Sequence, residues 1–123
     1  MPILDVELVT LDGRAPAARV AGELADAASR CLGAAPGTTW VRLRALARSG
    51  YAESGGGPPA GVMPVFVRVQ MARVPPAAEL GPLAASLTAE LARVLARPAE
   101  NVHLVFEPDA AGRIAFGGRL RPG

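Results

Sequence analysis

Proline and glycine residues recur at a single spacing along this sequence. The pairs Pro2 and Pro64, Pro36 and Pro98, Gly50 and Gly112, Gly55 and Gly117, and Gly56 and Gly118 are each separated by 62 residues. Proline and glycine mark turns, so a shared register of turns indicates two copies of one folding unit. We predict an internal repeat of residues 2–56 and 64–118, joined by a linker at about 53–62. A chain of 123 residues has the length of one domain, so residues 1–123 are expected to share one core.

The first unit has the hydrophobic pattern of a strand, a helix and a second strand. Ile3–Val9 alternates apolar and acidic residues after its first pair, which predicts a strand with one buried face. From Ala17 to Leu32 the larger apolar residues fall three or four positions apart, as on one helix face, and Gly33 follows as a C-cap. Thr39–Leu46 alternates again and predicts the second strand.

The second unit repeats this order after a segment rich in glycine and proline. Glu53–Gly61 holds little that packs and is predicted to be a linker or an exposed loop. Val65–Met71 and Asn101–Glu107 have the pattern of strands, and an apolar stripe from Leu80 to Val94 has that of a helix. With right-handed crossovers, two such units form a four-stranded mixed sheet with two helices on one face, an α/β (α+β) fold.

The face of the sheet away from the helices is expected to need cover. Its residues on the second strand are Trp40, Arg42 and Arg44, or the residues that alternate with them. A domain of this size hides only about two-thirds of its unfolded surface, and domains of this kind often gain stability by oligomerising. We therefore expect an assembly rather than a monomer.

The composition argues against several classes of partner. All 13 basic residues are arginine, the net charge is only +2, and no basic run is interleaved with aromatic residues. Nucleic-acid binding is therefore poorly supported. A single cysteine, Cys31, excludes a disulfide framework within one chain, and the single histidine, His103, has no metal-ligand pattern beside it. We expect no metal.

The sequence shows no pattern of export or membrane insertion. Met1–Thr10 carries Asp5 and Glu7 and no basic segment, so it does not read as a signal peptide. No apolar stretch approaches the roughly 18 residues that a membrane-spanning helix needs. We expect a cytoplasmic protein that does not bind a membrane.

Both units open with Met-Pro before a strand, at Met1-Pro2 and Met63-Pro64. Gly13-Arg14 follows the first strand, Pro36 precedes the second, and the chain closes with the hairpin Phe116-Gly117-Gly118. In this order the motifs resemble the tautomerase superfamily, typified by 4-oxalocrotonate tautomerase (4-OT) and macrophage migration inhibitory factor, over nearly the whole chain. The resemblance implies a fused member, in which one chain carries two units that short members supply as separate subunits, and a homotrimer.

The resemblance also implies that Pro2 is the catalytic base and acid. Removal of Met1 turns Pro2 into a secondary amine, whereas Pro64 lies within the chain as an amide. An ordinary α-amino group has a pKa of about 7.7–8.0, and an apolar pocket with a nearby guanidinium lowers it. Such an amine accepts and returns a proton at neutral pH. Without the resemblance, Pro2 reads as a rigid residue that opens an edge strand.

Arginines would bind a substrate carboxylate, because a guanidinium offers paired donors to it. Arg14 matches the Gly-Arg of the family, although it also fits a solvated turn residue. Arg73 ends the third strand, where fused relatives carry an arginine, and Arg42 or Arg44 lies near the position of a third. Tyr51 is assigned to the pocket or to a loop, and Phe116 to the apolar wall of the pocket.

The predicted function is a tautomerase that moves a proton in a small 2-oxo acid or its enol, without a cofactor. The alternatives are a dehalogenase or decarboxylase of the same superfamily and a non-catalytic subunit that keeps only the fold. Relatives that activate water carry an acid before the hairpin phenylalanine, and this chain has Ala115 there. Proton transfer is therefore favoured over hydrolytic chemistry, although Glu53 or Glu107 would serve as the acid if it pointed inward.

Overall fold

The computed structural model describes residues 2–123. Its strands and helices follow in the order β1 Ile3–Thr10, α1 Arg19–Leu32, β2 Trp40–Ala47, β3 Val65–Gln70, α2 Ala77–Leu95, β4 Val102–Phe106, β5 Ala115–Phe116 and β6 Arg119–Leu120. Short 3-10 turns follow β2 at Arg48–Gly50 and precede β4 at Ala99–Asn101. Within this part of the chain, neither helix is long and apolar enough to cross a bilayer.

The four long strands form one mixed sheet in the order β2-β1-β3-β4. β1 pairs in parallel with β2, and β3 pairs in parallel with β4, whereas β1 and β3 run antiparallel. β5 and β6 form a separate two-stranded hairpin. The predicted four-stranded mixed sheet with two helices is confirmed, and each predicted strand end lies within one residue of the observed one.

The alternation in β1 and β3 places every second residue in the core. Leu4, Val6 and Leu8 are buried in β1, and Val65, Val67 and Val69 are buried in β3. These six residues pack in one cluster with the buried helix residues Leu24, Leu87 and Leu91. Burying each such side chain contributes about 1.5–3 kcal/mol, so the helix-covered face of the sheet carries most of the folding free energy.

The ends of the two helices are made differently. Gly33 caps α1 with φ +61°, a left-handed conformation that glycine adopts without steric cost, and so confirms the predicted cap. α1 begins at Arg19, two residues after the predicted start at Ala17. α2 ends at a left-handed Ala96 and accommodates Pro82 near its start. Both helices lie against each other and against one layer of sheet.

The antiparallel pairing of β1 and β3 separates the two strand-opening prolines. The backbone N–H of Trp40 donates to the Pro2 carbonyl over 3.0 Å, and that of Val9 donates to the Pro64 carbonyl over the same distance. The two prolines therefore lie at opposite ends of β1, about 25 Å apart at the rise of an eight-residue strand. We call these the Pro2 end and the Pro64 end of the sheet.

Candidate active site

Pro2 is buried at the start of β1, beside the start of β2. Its carbonyl is held by Trp40, so Thr39, the residue before Trp40, lies next to Pro2 on the neighbouring strand. Thr39 is only 9% exposed, and its hydroxyl has no hydrogen-bond partner among residues 2–123. A buried hydroxyl without a partner costs about 1–3 kcal/mol, which makes this position unusual for a purely structural residue.

An aromatic cleft of about 290 Å³ opens at the Pro2 end. Its lining residues are Ile3, Gly37, Thr38, Trp40, Phe116 and Arg121. The rings of Trp40 and Phe116 meet edge to face with centroids 5.5 Å apart. The β5–β6 hairpin thus brings Phe116 to the end of the sheet where Pro2 lies, in keeping with its expected place in an apolar wall.

Arg73 also lies at the Pro2 end. Gln70, the last residue of β3, pairs with Ile3, and the chain continues past that pair to Arg73. The next residue, Val74, donates its backbone N–H to a carboxylate oxygen of Asp109 over 2.7 Å, which fixes the path of this segment. Arg73 itself is exposed and available to a ligand.

Arg42 points to the open face of the sheet at the same end, but its guanidinium is engaged. Its Nε and Nη2 donate to the two carboxylate oxygens of Asp5 over 2.5 and 2.8 Å. The hydrogen bond from Arg42 lowers the pKa of Asp5, against the opposing effect of burial. Asp5 therefore stays ionised at neutral pH and neutralises Arg42, so that Arg42 is a weaker anion site than its position suggests.

A second cleft, of about 280 Å³, lies on this open face between the charged side chains. Arg42 and Asp5 line it together with a second pair, Arg68 and Glu107, whose closest atoms are 2.5 Å apart. Both carboxylates near Pro2 are thus held by guanidinium groups. Both oxygens of Asp5 and one oxygen of Glu107 accept these hydrogen bonds, so the charge of each carboxylate is tied to an arginine.

Arg14 lies at the Pro64 end, away from Pro2 of its own chain. Gly13, with φ +74°, packs against Ala47 at the end of β2, where a β-carbon on it would come within 3.2 Å of the Ala47 side chain. The Arg14 side chain is 88% exposed and lies 3.6 Å from the Asp12 carboxylate. An Arg14 that serves Pro2 must therefore come from a neighbouring subunit.

Tyr51 lies at the Pro64 end as well. Its ring is 5.7 Å from that of Phe66 between centroids, and its hydroxyl donates to Glu53 over 2.7 Å. This hydrogen bond raises the pKa of Tyr51, because the neighbouring carboxylate stabilises the protonated phenol. Within one chain, Tyr51 and Pro2 are at opposite ends of the sheet.

The segment before Pro64 is held at the Pro64 end by two arginine side chains. Arg48 donates to the carbonyls of Pro58, Pro59 and Val62, and Arg97 donates to that of Met63 over 2.6 Å. Burial lowers the pKa of Arg97. The guanidinium groups of Arg48 and Arg97 thus bind backbone carbonyls at this end instead of a ligand.

Two residues at the Pro2 end were missed by sequence reasoning, Thr39 and Arg121. Arg121 follows the two-residue strand β6, and its backbone is anchored to Ile114 and Gly112 by hydrogen bonds of 2.8 and 3.0 Å. Its position one residue after the Gly-rich hairpin was the available signal. Thr39 had no signal in the sequence, because only the register shows that it lies beside Pro2.

No protein-family model and no curated protein matches the sequence. Solved structures do match its fold. Macrophage migration inhibitory factor from Oncomelania hupensis superposes with a TM-score of 0.73 at 18% identity, over 98% of this chain and 83% of that one. A fused 4-OT, described as a wild-type symmetric trimer, gives 0.73 at 20% identity over 97% and 94%. FG41 malonate semialdehyde decarboxylase, inhibited by 3-bromopropiolate, gives 0.68 at 18% identity over 94% and 88%.

The chain has the fold of the tautomerase superfamily. The resemblance inferred from the Met-Pro, Gly-Arg and hairpin motifs is therefore confirmed at the level of the fold. The superposition with the fused 4-OT covers 97% of this chain and 94% of that one, so this chain has about the length of a fused 4-OT. Within residues 2–123 of this tautomerase fold, no group of three His, Cys, Asp or Glu side chains is arranged to hold a metal ion.

Proposed function

We propose that the protein is a cofactor-independent tautomerase that acts through Pro2. The observation that carries this proposal is the contrast between two prolines in equivalent places. Pro2 opens β1 beside an open aromatic cleft, whereas Pro64 follows Met63 within a continuous chain. The neighbours with the same fold include 4-OT, which supports the reaction class.

The chemistry requires that Met1 be removed. Pro2 then carries a secondary amine whose lone pair takes a proton from the substrate, and the resulting ammonium returns a proton to another atom. The amine ends the cycle as it began, so no other proton donor is needed. Ile3, Trp40 and Phe116 surround this end with apolar surface, which disfavours the charged ammonium and leaves the neutral amine available to accept a proton near neutral pH.

Arginine side chains supply the electrostatic part of the proposal. Arg73 reaches the Pro2 end of its own chain, and Arg14 reaches it only from another subunit. Both would hold the carboxylate of a 2-oxo acid and stabilise negative charge on the enol oxygen as the proton moves. Arg42 contributes less, because Asp5 already occupies its guanidinium.

The assembly we propose is a homotrimer. Fused 4-OT neighbours are described as trimers, and the open face of this sheet exposes Trp40 and Phe66 by 51% and 37%. Large apolar side chains on one face favour burial against further copies. Sedimentation should give the mass of three 12.6 kDa chains at micromolar concentration, and a stable monomer would contradict the proposal.

A decarboxylase is the alternative within the same fold, since malonate semialdehyde decarboxylase is among the neighbours. Decarboxylation replaces a carboxylate group by a proton and consumes no water, so the arrangement of carboxylates does not separate it from tautomerisation. A water-activating dehalogenase would use Asp5 or Glu107, which line the second cleft, and an arginine holds each of them.

The test is the ketonisation of phenylenolpyruvate, followed by ultraviolet absorbance. Protein whose intact mass shows the loss of Met1 should be active, and Pro2→Ala should lower kcat/KM by about 10²–10⁴-fold, the usual contribution of a positioned acid–base group. A chain that retains one residue before Pro2 should be equally impaired, because its Pro2 nitrogen is an amide.

Pro64→Ala is the matched control. Pro64 is fully buried, so its replacement should lower stability, but kcat/KM per folded molecule should stay within about twofold of the wild type. Full activity in Pro2→Ala would exclude the proline mechanism. Activity on malonate semialdehyde alone would favour the decarboxylase.

A further inference from the structure

Thr39 is the only buried polar residue among residues 2–123. It is 9% exposed, and no hydrogen-bond partner lies within reach of its hydroxyl oxygen in that part of the chain. Buried polar groups in folded proteins nearly always have a partner. The hydroxyl of the preceding residue, Thr38, has one, since it donates to the Ala35 carbonyl over 2.6 Å. The Thr39 hydroxyl is therefore kept for a partner that residues 2–123 do not supply.

The strand register places Thr39 beside Pro2. Ile3 pairs with Trp40 in the parallel ladder of β1 and β2, so the residues before them, Pro2 and Thr39, face each other on strands about 4.8 Å apart. Side chains alternate along a strand, so both residues share the face of Leu4, which the helices cover. The Thr39 hydroxyl thus lies on the buried side of Pro2, away from the open face of the sheet.

Removal of Met1 gives the Pro2 nitrogen hydrogens that it lacks as an amide. The neutral secondary amine carries one N–H and a lone pair, and the ammonium carries two N–H groups. One of these holds the proton taken from the substrate, so the other needs a separate acceptor. A charged donor makes a hydrogen bond about twice as strong as a neutral one. The neutral amine is a weak donor, so the Thr39 hydroxyl gains its partner when the ammonium forms.

The carboxylates nearest to Pro2 are unsuited to be this acceptor. Asp5 and Glu107 lie on the open face of the sheet, and arginine side chains hold both of them. A carboxylate in contact with the amine would also stabilise the ammonium so strongly that the amine would be protonated before the substrate arrived. A neutral hydroxyl stabilises the ammonium more weakly, as a group that must return its proton requires.

We propose that Thr39 is a positioning residue, whose hydroxyl accepts a hydrogen bond from the Pro2 ammonium that forms during the reaction. The proton moves from the substrate to the Pro2 nitrogen and back to another atom of the substrate, and Thr39 exchanges none. The bond fixes one N–H of the ammonium and so directs the other towards the substrate. This role rests on the proposed function of Pro2, whereas the hydrogen bond requires only the free amine.

The Pro2 nitrogen can be titrated without a substrate. Once Met1 has been removed, by the cell or by an added aminopeptidase, Pro2 is the only one of 12 prolines with an amine nitrogen. Labelling with nitrogen-15 proline therefore gives it a separate NMR signal that moves as the amine takes up a proton. Thr39→Val should lower the pKa of the Pro2 amine by about 0.5–1 unit, because the hydroxyl stabilises the charged form. Thr39→Ser keeps the hydroxyl and should restore the wild-type pKa.

The kinetics should follow the titration. The acid limb of the pH profile of kcat/KM should shift by the same amount in Thr39→Val. Its kcat should fall about 3–10-fold, the factor that such a pKa shift represents, and the kcat of Thr39→Ser should stay within about twofold of the wild type.

Asn101→Ala is the matched control. Asn101 precedes Val102, the partner of Val65, so it lies beside Pro64 as Thr39 lies beside Pro2. Its replacement should leave the pKa of the Pro2 amine within about 0.1 unit. All of these variants keep the other charged and titratable groups of the Pro2 end, which are the two ion pairs of the second cleft, Arg73, Arg121 and, at the helix ends, Cys31 and Glu79.

An unchanged pKa in Thr39→Val, or failure of Thr39→Ser to restore it, would overturn the proposal. A raised pKa would do so as well, because it would show that the hydroxyl donates to the lone pair of the amine. Circular dichroism checks folding, and Thr39→Ala replaces Thr39→Val if the latter does not fold. The expected pKa shifts without any activity would count against the proposed function. Activity that depends on Pro2, with equal pKa values in all variants, would count against Thr39 alone.

Discussion

The two ends of the sheet start from the same local pattern, a proline that opens a strand, and differ in what surrounds it. At the Pro2 end the walls are aromatic, and Arg73 and Arg121 are unpaired within residues 2–123. At the Pro64 end, Arg48 and Arg97 donate hydrogen bonds to backbone carbonyls of the segment that precedes Pro64. Similar strand–helix–strand units thus use their arginines differently, since Arg73 and Arg121 are open to a ligand while Arg48 and Arg97 hold backbone carbonyls.

The largest effect that would sharpen this comparison concerns Arg14. Arg14→Ala should lower kcat/KM by about 100-fold if its guanidinium stabilises charge on the substrate of a neighbouring subunit. Stability should hardly change, because the side chain is 88% exposed. Steady-state kinetics and urea unfolding measure the two quantities.

Mixed assemblies identify which subunit supplies each arginine. Co-assembly of Arg14→Ala with Pro2→Ala chains should restore about a quarter of the wild-type sites, since random mixing pairs each intact residue across subunits. Arg73→Ala with Pro2→Ala should restore none, because Arg73 reaches Pro2 of its own chain. Restoration in the second mixture, or none in the first, would contradict this arrangement.

The next effect concerns the stability of the Pro64 end. Arg97→Leu removes the donor to the Met63 carbonyl and should lower the free energy of unfolding by about 1–2 kcal/mol. The kcat/KM of the folded protein should remain within about twofold. The midpoint of urea unfolding measures the loss, and a large loss of activity at full stability would show that this end takes part in catalysis.

A smaller effect, this time an increase in stability, is expected from a substitution beside Pro2. Thr39→Val removes a buried hydroxyl that has no partner in the described chain, and should raise stability by about 1 kcal/mol while lowering kcat/KM. Thr38→Val is the matched control, because the Thr38 hydroxyl donates to the Ala35 carbonyl over 2.6 Å and its loss should destabilise. Thermal unfolding of both variants gives the two signs. Destabilisation by Thr39→Val would mean that this hydroxyl has a structural partner.

The smallest effect should be that of Tyr51→Phe. The Tyr51 hydroxyl is committed to Glu53 at the Pro64 end, so KM should stay within about twofold and Tm within about 1 °C. Phe116→Leu removes the aromatic ring at the Pro2 end and should raise KM severalfold through the loss of ring packing against Trp40. A rise in KM for Tyr51→Phe would place Tyr51 in the site of a neighbouring subunit.

The fold was predictable because burial imposes the pattern that was used to find it. Leu4, Val6 and Leu8 must face the helices, and the acidic residues between them must not, so the alternation in β1 leaves little freedom. The pairing of strands within each unit then follows from the right-handed crossover.

The site was predictable only in part, since a motif names a residue but the topology decides which end of the sheet it reaches. Arg14 and Tyr51 follow their strands at the Pro64 end, while Arg73 and Phe116 reach the Pro2 end. Arg121 had only its place after the Gly-rich hairpin as a signal, and Thr39 had none. The first depends on a hairpin of two-residue strands without a periodic pattern, and the second depends on a register that only the backbone reveals.

The antiparallel bonds between β1 and β3 join the two units within one chain. In a protein whose units are separate chains, the same pairing of strands would form only when two molecules associate, and dilution would dissociate it. Here the effective concentration of one unit around the other does not change with the amount of protein. Three chains rather than six must then associate to form the proposed assembly. Its activity should therefore persist to lower protein concentrations than that of an assembly of separate units.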